Sequence, residues 1–69
     1  MRFSARNQIK GTIVDIQKGA TTAHVRVDIG GGVIITASIT SEAVDELGLA
    51  SGQVVSAVIK ASNVMIGVS

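Results

Sequence analysis

Ala23-His24-Val25-Arg26-Val27-Asp28-Ile29, then Gly30-Gly31-Gly32, then Val33-Ile34-Ile35-Thr36-Ala37-Ser38-Ile39, is the stretch whose reading decides the fold class. Ala23, Val25, Val27 and Ile29 alternate with His24, Arg26 and Asp28, which is the period of a strand with one face in a core and the other in water. Val33, Ile35, Ala37 and Ile39 repeat the pattern, with Thr36 and Ser38 on the opposite face. Glycine adopts the positive φ angles that a tight reversal needs, so the two runs predict a β-hairpin, although three consecutive glycines leave its register open.

The segments on either side are less regular. In Gln8 to Ile16 and in Gln53 to Ile59, apolar residues fall on both faces: Ile13 next to Val14, and Val54, Val55, Val58 and Ile59. Neither strand can then have a fully solvated side, and each must bury a second face through barrel closure, through a subunit contact, or both. Ser41-Glu42-Ala43-Val44-Asp45-Glu46-Leu47-Gly48 starts at a Ser or Thr cap, carries acidic residues after it and closes on Gly, which predicts one or two helical turns. Asn63 to Val68 reads as a closing strand. Five strands with a short helix between the third and the fourth make an all-β chain with the strand complement of a small OB-like Greek-key barrel. No repeat, linker or low-complexity stretch interrupts residues 1–69, which read as a single domain.

A chain of 69 residues buries only about 60% of its extended-chain surface, so its core is marginal when it stands alone. With no Cys there is neither a disulfide nor a thiolate metal site to reinforce it. Oligomerisation remains, and a composition of 46% hydrophobic and 16% charged residues agrees with some apolar surface being covered by another chain. Arg2 is not followed by an apolar signal region, and no apolar run approaches the roughly 20 residues of a membrane span, so a cytoplasmic protein without membrane contact is expected.

Composition also argues against several activities. His24 is the sole imidazole and alternates with Arg26 and Asp28 on an outward face, with no Cys to act as its nucleophile, so no enzyme is expected. Asp15, Asp28, Glu42, Asp45 and Glu46 lack the spacing of a cation-binding loop, and no metal ion is expected as a direct ligand of side chains. Binding of single-stranded nucleic acid needs aromatic platforms and a basic groove, whereas Phe3 is the one aromatic residue and the net charge is +1. The same shortage of aromatic surface argues against an organic cofactor such as a pterin.

What stands out is a donor-rich, acid-free set near the two ends of the chain: Ser4-Ala5-Arg6-Asn7 and Lys60-Ala61-Ser62-Asn63. A fully deprotonated tetrahedral dianion suits such a set, because Arg and Lys give charge-assisted bonds, hydroxyls and backbone N–H groups add neutral ones, and no carboxylate repels it. Spacing by itself leaves the plainer reading open, in which Arg6 and Lys60 are solvated strand ends and Ser4 and Ser62 ordinary turn formers.

Ser4-Ala5-Arg6-Asn7-Gln8 followed by Lys10-Gly11, then Ser38-Ile39-Thr40, Leu47-Gly48-Leu49 and Lys60-Ala61-Ser62-Asn63-Val64 together resemble the Mop family of molybdate-binding proteins, the molbindins. The resemblance covers nearly the whole chain and implies the same small barrel. It implies an oxyanion site at a subunit interface, with Ser4, Arg6, Lys60 and Ala61 (through its backbone N–H) from one chain and Thr40 from a neighbour, and Asn7 and Ser62 as adjacent members of the same motifs. It implies molybdate as ligand with tungstate as its mimic, a homohexamer built as a trimer of dimers, and a role in molybdenum storage and homeostasis; the alternative is a regulatory or transport-associated module acting on a partner protein. A second anion site on the oligomer axis is also implied. Lys18-Gly19-Ala20-Thr21-Thr22 is its best match, since a Gly-containing turn exposes N–H groups and threonines add donors, and a plain hairpin turn accounts for the same residues equally well.

Overall fold

One long, bent strand organises the molecule. The computed structural model describes residues 6–69. Strand β1 (Asn7–Lys18) runs beyond the expected Gln8–Ile16 at both ends. Its first half pairs antiparallel with β4 (Val54–Ile59) and its second half with β2 (Thr22–Asp28), with Thr12 opposite both Val54 and Asp28. Strand β3 (Ile34–Thr40) pairs antiparallel with β2, which gives a four-stranded sheet in the order β3-β2-β1-β4.

Two local devices let β1 turn this corner. A side chain at Gly11 would place its Cβ 2.6 Å from Val27 Cγ1 and 2.7 Å from the Asp28 carbonyl oxygen, so the close approach of β1 to the end of β2 requires glycine. The register then shifts between Ile13 and Asp15, a bulge at Val14 that adds bend and twist. The sheet curls into an open half-barrel as a result, and its concave face holds the buried core of Ile13, Ala23, Val25, Val27 and Val44.

The expected hairpin is present. Gly30, Gly31 and Gly32 all have positive φ (96°, 61° and 77°), the Gly30 N–H donates to Asp28 Oδ1 at 2.8 Å, and the Ile29 N–H donates to the Val33 carbonyl at 3.1 Å. Val33 itself lies outside β3 and is exposed, so the inward run starts at Ile35 and not at Val33. Helix α1 (Ser41–Leu47) matches the expected span. Thr40, not Ser41, caps it, accepting the Ala43 N–H on Oγ1 at 3.0 Å. At its other end Gly48 has φ 62°, its N–H reaches the Asp45 carbonyl, and the Leu49 N–H reaches that of Val44, a Schellman closure.

The closing strand expected at Asn63–Val68 does not form, and the described sheet has four strands in place of five. A 3-10 turn (Ala61–Asn63) follows β4, held by Asn63 N–H to the Lys60 carbonyl at 2.8 Å and Val64 N–H to that of Ala61 at 3.2 Å. It carries the chain away from the sheet and leaves Met65, Ile66 and Val68 at least 90% exposed. The residue pattern is strand-like, but a strand needs an edge to pair with, and this segment meets none among the described residues. Both sheet edges, β3 and β4, instead flank an open apolar groove of about 460 Å³. Ile35, Ala37 and Ile39 line one side of it and Val55 and Ala57 the other.

Candidate oxyanion site

The donor residues fall at the two ends of β1. At its start, the last rung of the β1–β4 ladder is Asn7 against Ile59, and the same register carried one residue further sets Arg6 against Lys60. Both flank the paired strands and are exposed, as are Gln8 and Val58 within them. Like charges directly opposite each other across a strand pair are destabilising unless an opposite charge lies between them. Among the described residues the one salt bridge is Lys18 to Asp45, so neither Arg6 nor Lys60 has a carboxylate partner there. Lys60 has extended backbone (φ −63°, ψ 136°) and leads straight into the 3-10 turn, which puts Ala61 and Ser62 beside it. Among the described residues no carbonyl accepts the backbone N–H of Ala61 or Ser62. Asn7 lies on the inner side, half-buried, and its Nδ2 donates to the Ile59 carbonyl at 3.1 Å. Ser4 lies outside the described residues.

Thr40 is at the far end. It closes β3 opposite Thr22, next to the turn in which β1 ends. Asn7 and Lys18 are separated by the length of β1, up to about 35 Å of strand, in a molecule 34 Å along its longest axis. Within one chain Thr40 lies by the end of β1 opposite to the one that carries Arg6 and Lys60. A hydroxyl carries one donor and two acceptor positions, so Thr40 Oγ1 can accept the Ala43 N–H and still donate its own proton outward.

The turn at Lys18–Thr22 is tied down by contacts that the sequence did not signal. Lys18 Nζ reaches Asp45 Oδ1 at 2.6 Å, a partner 27 positions away with no motif linking the two. Ser41, buried, donates from Oγ to the Gly19 carbonyl at 2.9 Å and from its N–H to the Thr21 carbonyl at 2.9 Å. The Gly19 N–H is taken by the Thr22 carbonyl at 2.8 Å. Lys18, Gly19, Ala20, Thr21 and Thr22 thus lie together beside Thr40, with a carboxylate next to the lysine and one backbone donor already used. Ser41 and Asp45 both hold this end in place, and neither was singled out from the sequence.

This architecture can be set beside known proteins. The TOBE domain model matches residues 4–66. A probable molybdenum-pterin-binding protein of Haemophilus influenzae is 47% identical over 68 residues, spanning 99% of either chain. The chain belongs to the TOBE-domain family of molybdenum-pterin-binding proteins. The resemblance to the Mop proteins is thereby established. This TOBE domain superposes on MopII from Clostridium pasteurianum with a TM-score of 0.90 and 45% identity, covering 97% of this chain and 100% of the other. It also superposes on the cytoplasmic molybdate-binding protein ModG, in a form with molybdate bound, with a TM-score of 0.93 and 52% identity. That match covers all of this TOBE domain and 49% of ModG. The family is one of binding proteins, and among the described residues no helix is long and apolar enough to cross a membrane.

Proposed function

We propose that this chain is a cytoplasmic molybdate-binding protein that serves molybdenum storage and homeostasis, takes tungstate as a mimic, and holds the anion between the subunits of a homo-oligomer. The observation that carries the reading is the matched pair Arg6 and Lys60, one step beyond the β1–β4 ladder, two cations with no described carboxylate partner. A dianion placed between them turns their repulsion into two charge-assisted attractions. The backbone donors of Ala61 and Ser62 extend from the same turn, and Ser4 precedes the pair in the sequence. The binding of molybdate by ModG, a protein 52% identical to this chain over the matched region, agrees with that ligand.

Assembly between copies follows from two features. Thr40 lies by the other end of β1 from Arg6 and Lys60, and in this reading it joins the site from a neighbouring chain. The apolar C-terminal segment and the groove between β3 and β4 complement each other: among the described residues the first is exposed and pairs with no strand, and the second lies between the two edge strands over an aliphatic floor. In this reading the C-terminal segment of one copy enters the groove of its partner, supplying the fifth strand of an OB-like Greek-key barrel, and dimers so formed associate further into a hexamer. The aliphatic groove is thus filled by protein, and no pterin or other organic cofactor is assigned.

Isothermal titration of sodium molybdate into the parent protein and into Arg6→Ala and Lys60→Ala tests the reading. Saturable heat that both substitutions weaken supports it. Heat that neither changes overturns it.

A further inference from the structure

We propose that Asn7 is a positioning residue of the oxyanion site, whose carboxamide holds Arg6 and Lys60 in register before the anion arrives. The inference rests on the molybdate-binding reading and gives Asn7 a role other than that of a ligand.

Three observations carry it. The Asn7 Nδ2 to Ile59 carbonyl bond, 3.1 Å long and half-buried, joins residues 52 positions apart, and those two residues are the terminal rung of the β1–β4 ladder. Each is the immediate neighbour of one of the two cations. Asn7 is also half-buried, with its amide N–H spent on the Ile59 carbonyl, while Arg6 and Lys60 are exposed, so an anion held between the cations lies on the solvent side and away from this bond. Finally, the register continued past this rung sets like charges opposite each other, which favours fraying there. A side-chain bond from one strand to the carbonyl of the other is the contact that resists it.

The consequence is preorganisation. Without the Asn7 bond, the anion would have to close the frayed strand ends as it binds, and the ordering cost would be subtracted from its affinity. With the bond in place, that cost has been met in folding.

The test is a double-mutant cycle read by molybdate titration of the full-length protein: parent, Asn7→Leu, Arg6→Ala and the double variant, with Asn7→Ala and Lys60→Ala alongside. Asn7→Leu keeps the volume and removes the donor, and it should weaken molybdate binding about fivefold, the loss of one ordinary hydrogen bond. In the Arg6→Ala background the same substitution should change affinity less than twofold, because the charge pair it positions is gone. Thermal melts supply a readout that a purely structural bond would not move: the stabilisation added by saturating molybdate should shrink in Asn7→Leu relative to the parent. Unchanged affinity in Asn7→Leu would overturn the assignment. So would an equal loss in both backgrounds, which would mean direct contact with the anion, and so would failure of both Asn7→Ala and Asn7→Leu to fold, which would make the bond a requirement of the fold alone. If Arg6→Ala and Lys60→Ala bind as the parent does, it is the molybdate reading that falls, a result separable from every outcome at Asn7.

Discussion

Arg6 and Lys60 sit one residue past the Asn7–Ile59 rung, just outside β1 and β4, so the register continued by one step sets the two cations opposite each other. The arrangement is unfavourable for an isolated sheet and favourable for a sheet that receives a dianion, and it makes the two states respond oppositely to the same substitution. Arg6→Ala and Lys60→Ala should each weaken molybdate binding by about 1.5–3 kcal/mol, the range for hydrogen bonds to a charged group. Each should leave the melting temperature of the anion-free protein unchanged or slightly raised, since one member of a repelling pair has gone. Calorimetry and melts with and without molybdate check both signs. Lys60→Arg is not a neutral exchange here, because a planar fork replaces a compact charge.

Thr40 caps α1 through Ala43, and in the proposed site it also donates its hydroxyl proton to an anion on a neighbouring subunit. The two roles can be separated by substitution. Thr40→Asp retains an excellent cap and sets a negative charge where the anion would lie. It should preserve helix and melting temperature and abolish molybdate binding. Thr40→Ser should keep both, and Thr40→Ala should lose about 1 kcal/mol of stability along with affinity. Circular dichroism and titration of the three variants distinguish these outcomes.

Gly11 stands where β1 passes closest to the end of β2, and the nearest atoms to an added Cβ include the backbone oxygen of Asp28, which cannot rotate away. Gly11→Ala should destabilise the fold by about 1–3 kcal/mol, the usual cost of forcing a methyl group into a filled site. The midpoint of urea unfolding measures it.

Met65, Ile66 and Val68 are at least 90% exposed among the described residues. If they fill the groove of a partner, Ile66→Asp should lower assembly and thermal stability together, since a domain with this small a core depends on its neighbours. Light scattering should show the parent as an oligomer and the variant shifted toward monomer. A parent mass of 7.0 kDa at micromolar concentration would refute the subunit-interface site.

Selectivity follows from a site made of donors only. Phosphate is partly protonated near neutral pH, and its O–H would meet no acceptor, leaving a desolvated donor at a cost of about 1–3 kcal/mol. Sulfate lacks that proton, and its smaller size keeps it from reaching every donor of a preorganised site at once. Thermal stabilisation should rank molybdate and tungstate first, then sulfate, then phosphate, at matched ionic strength. Equal shifts for all four would reduce the site to an unspecific basic patch.

The sequence by itself determined the elements whose cause is local. The alternation in Ala23–Ile29 and the glycine triplet specified the hairpin, because period and positive φ are properties of neighbouring residues. The Thr40 and Gly48 ends of α1 are capping chemistry of the same kind. It also set out the donors of the candidate site and, through their motifs, the family. Only the tertiary structure decided the rest, which depends on pairings across long sequence separations. The bend of β1 at Gly11, the Lys18–Asp45 and Ser41–Gly19 ties, and the register that sets Arg6 against Lys60 have no signature in adjacent residues. The Asn63–Val68 segment shows the limit most clearly: its apolar pattern announced a strand, but a pattern states only that a face must be buried. Which edge pairs with it is settled by the curl of the sheet, and among the described residues the segment pairs with none.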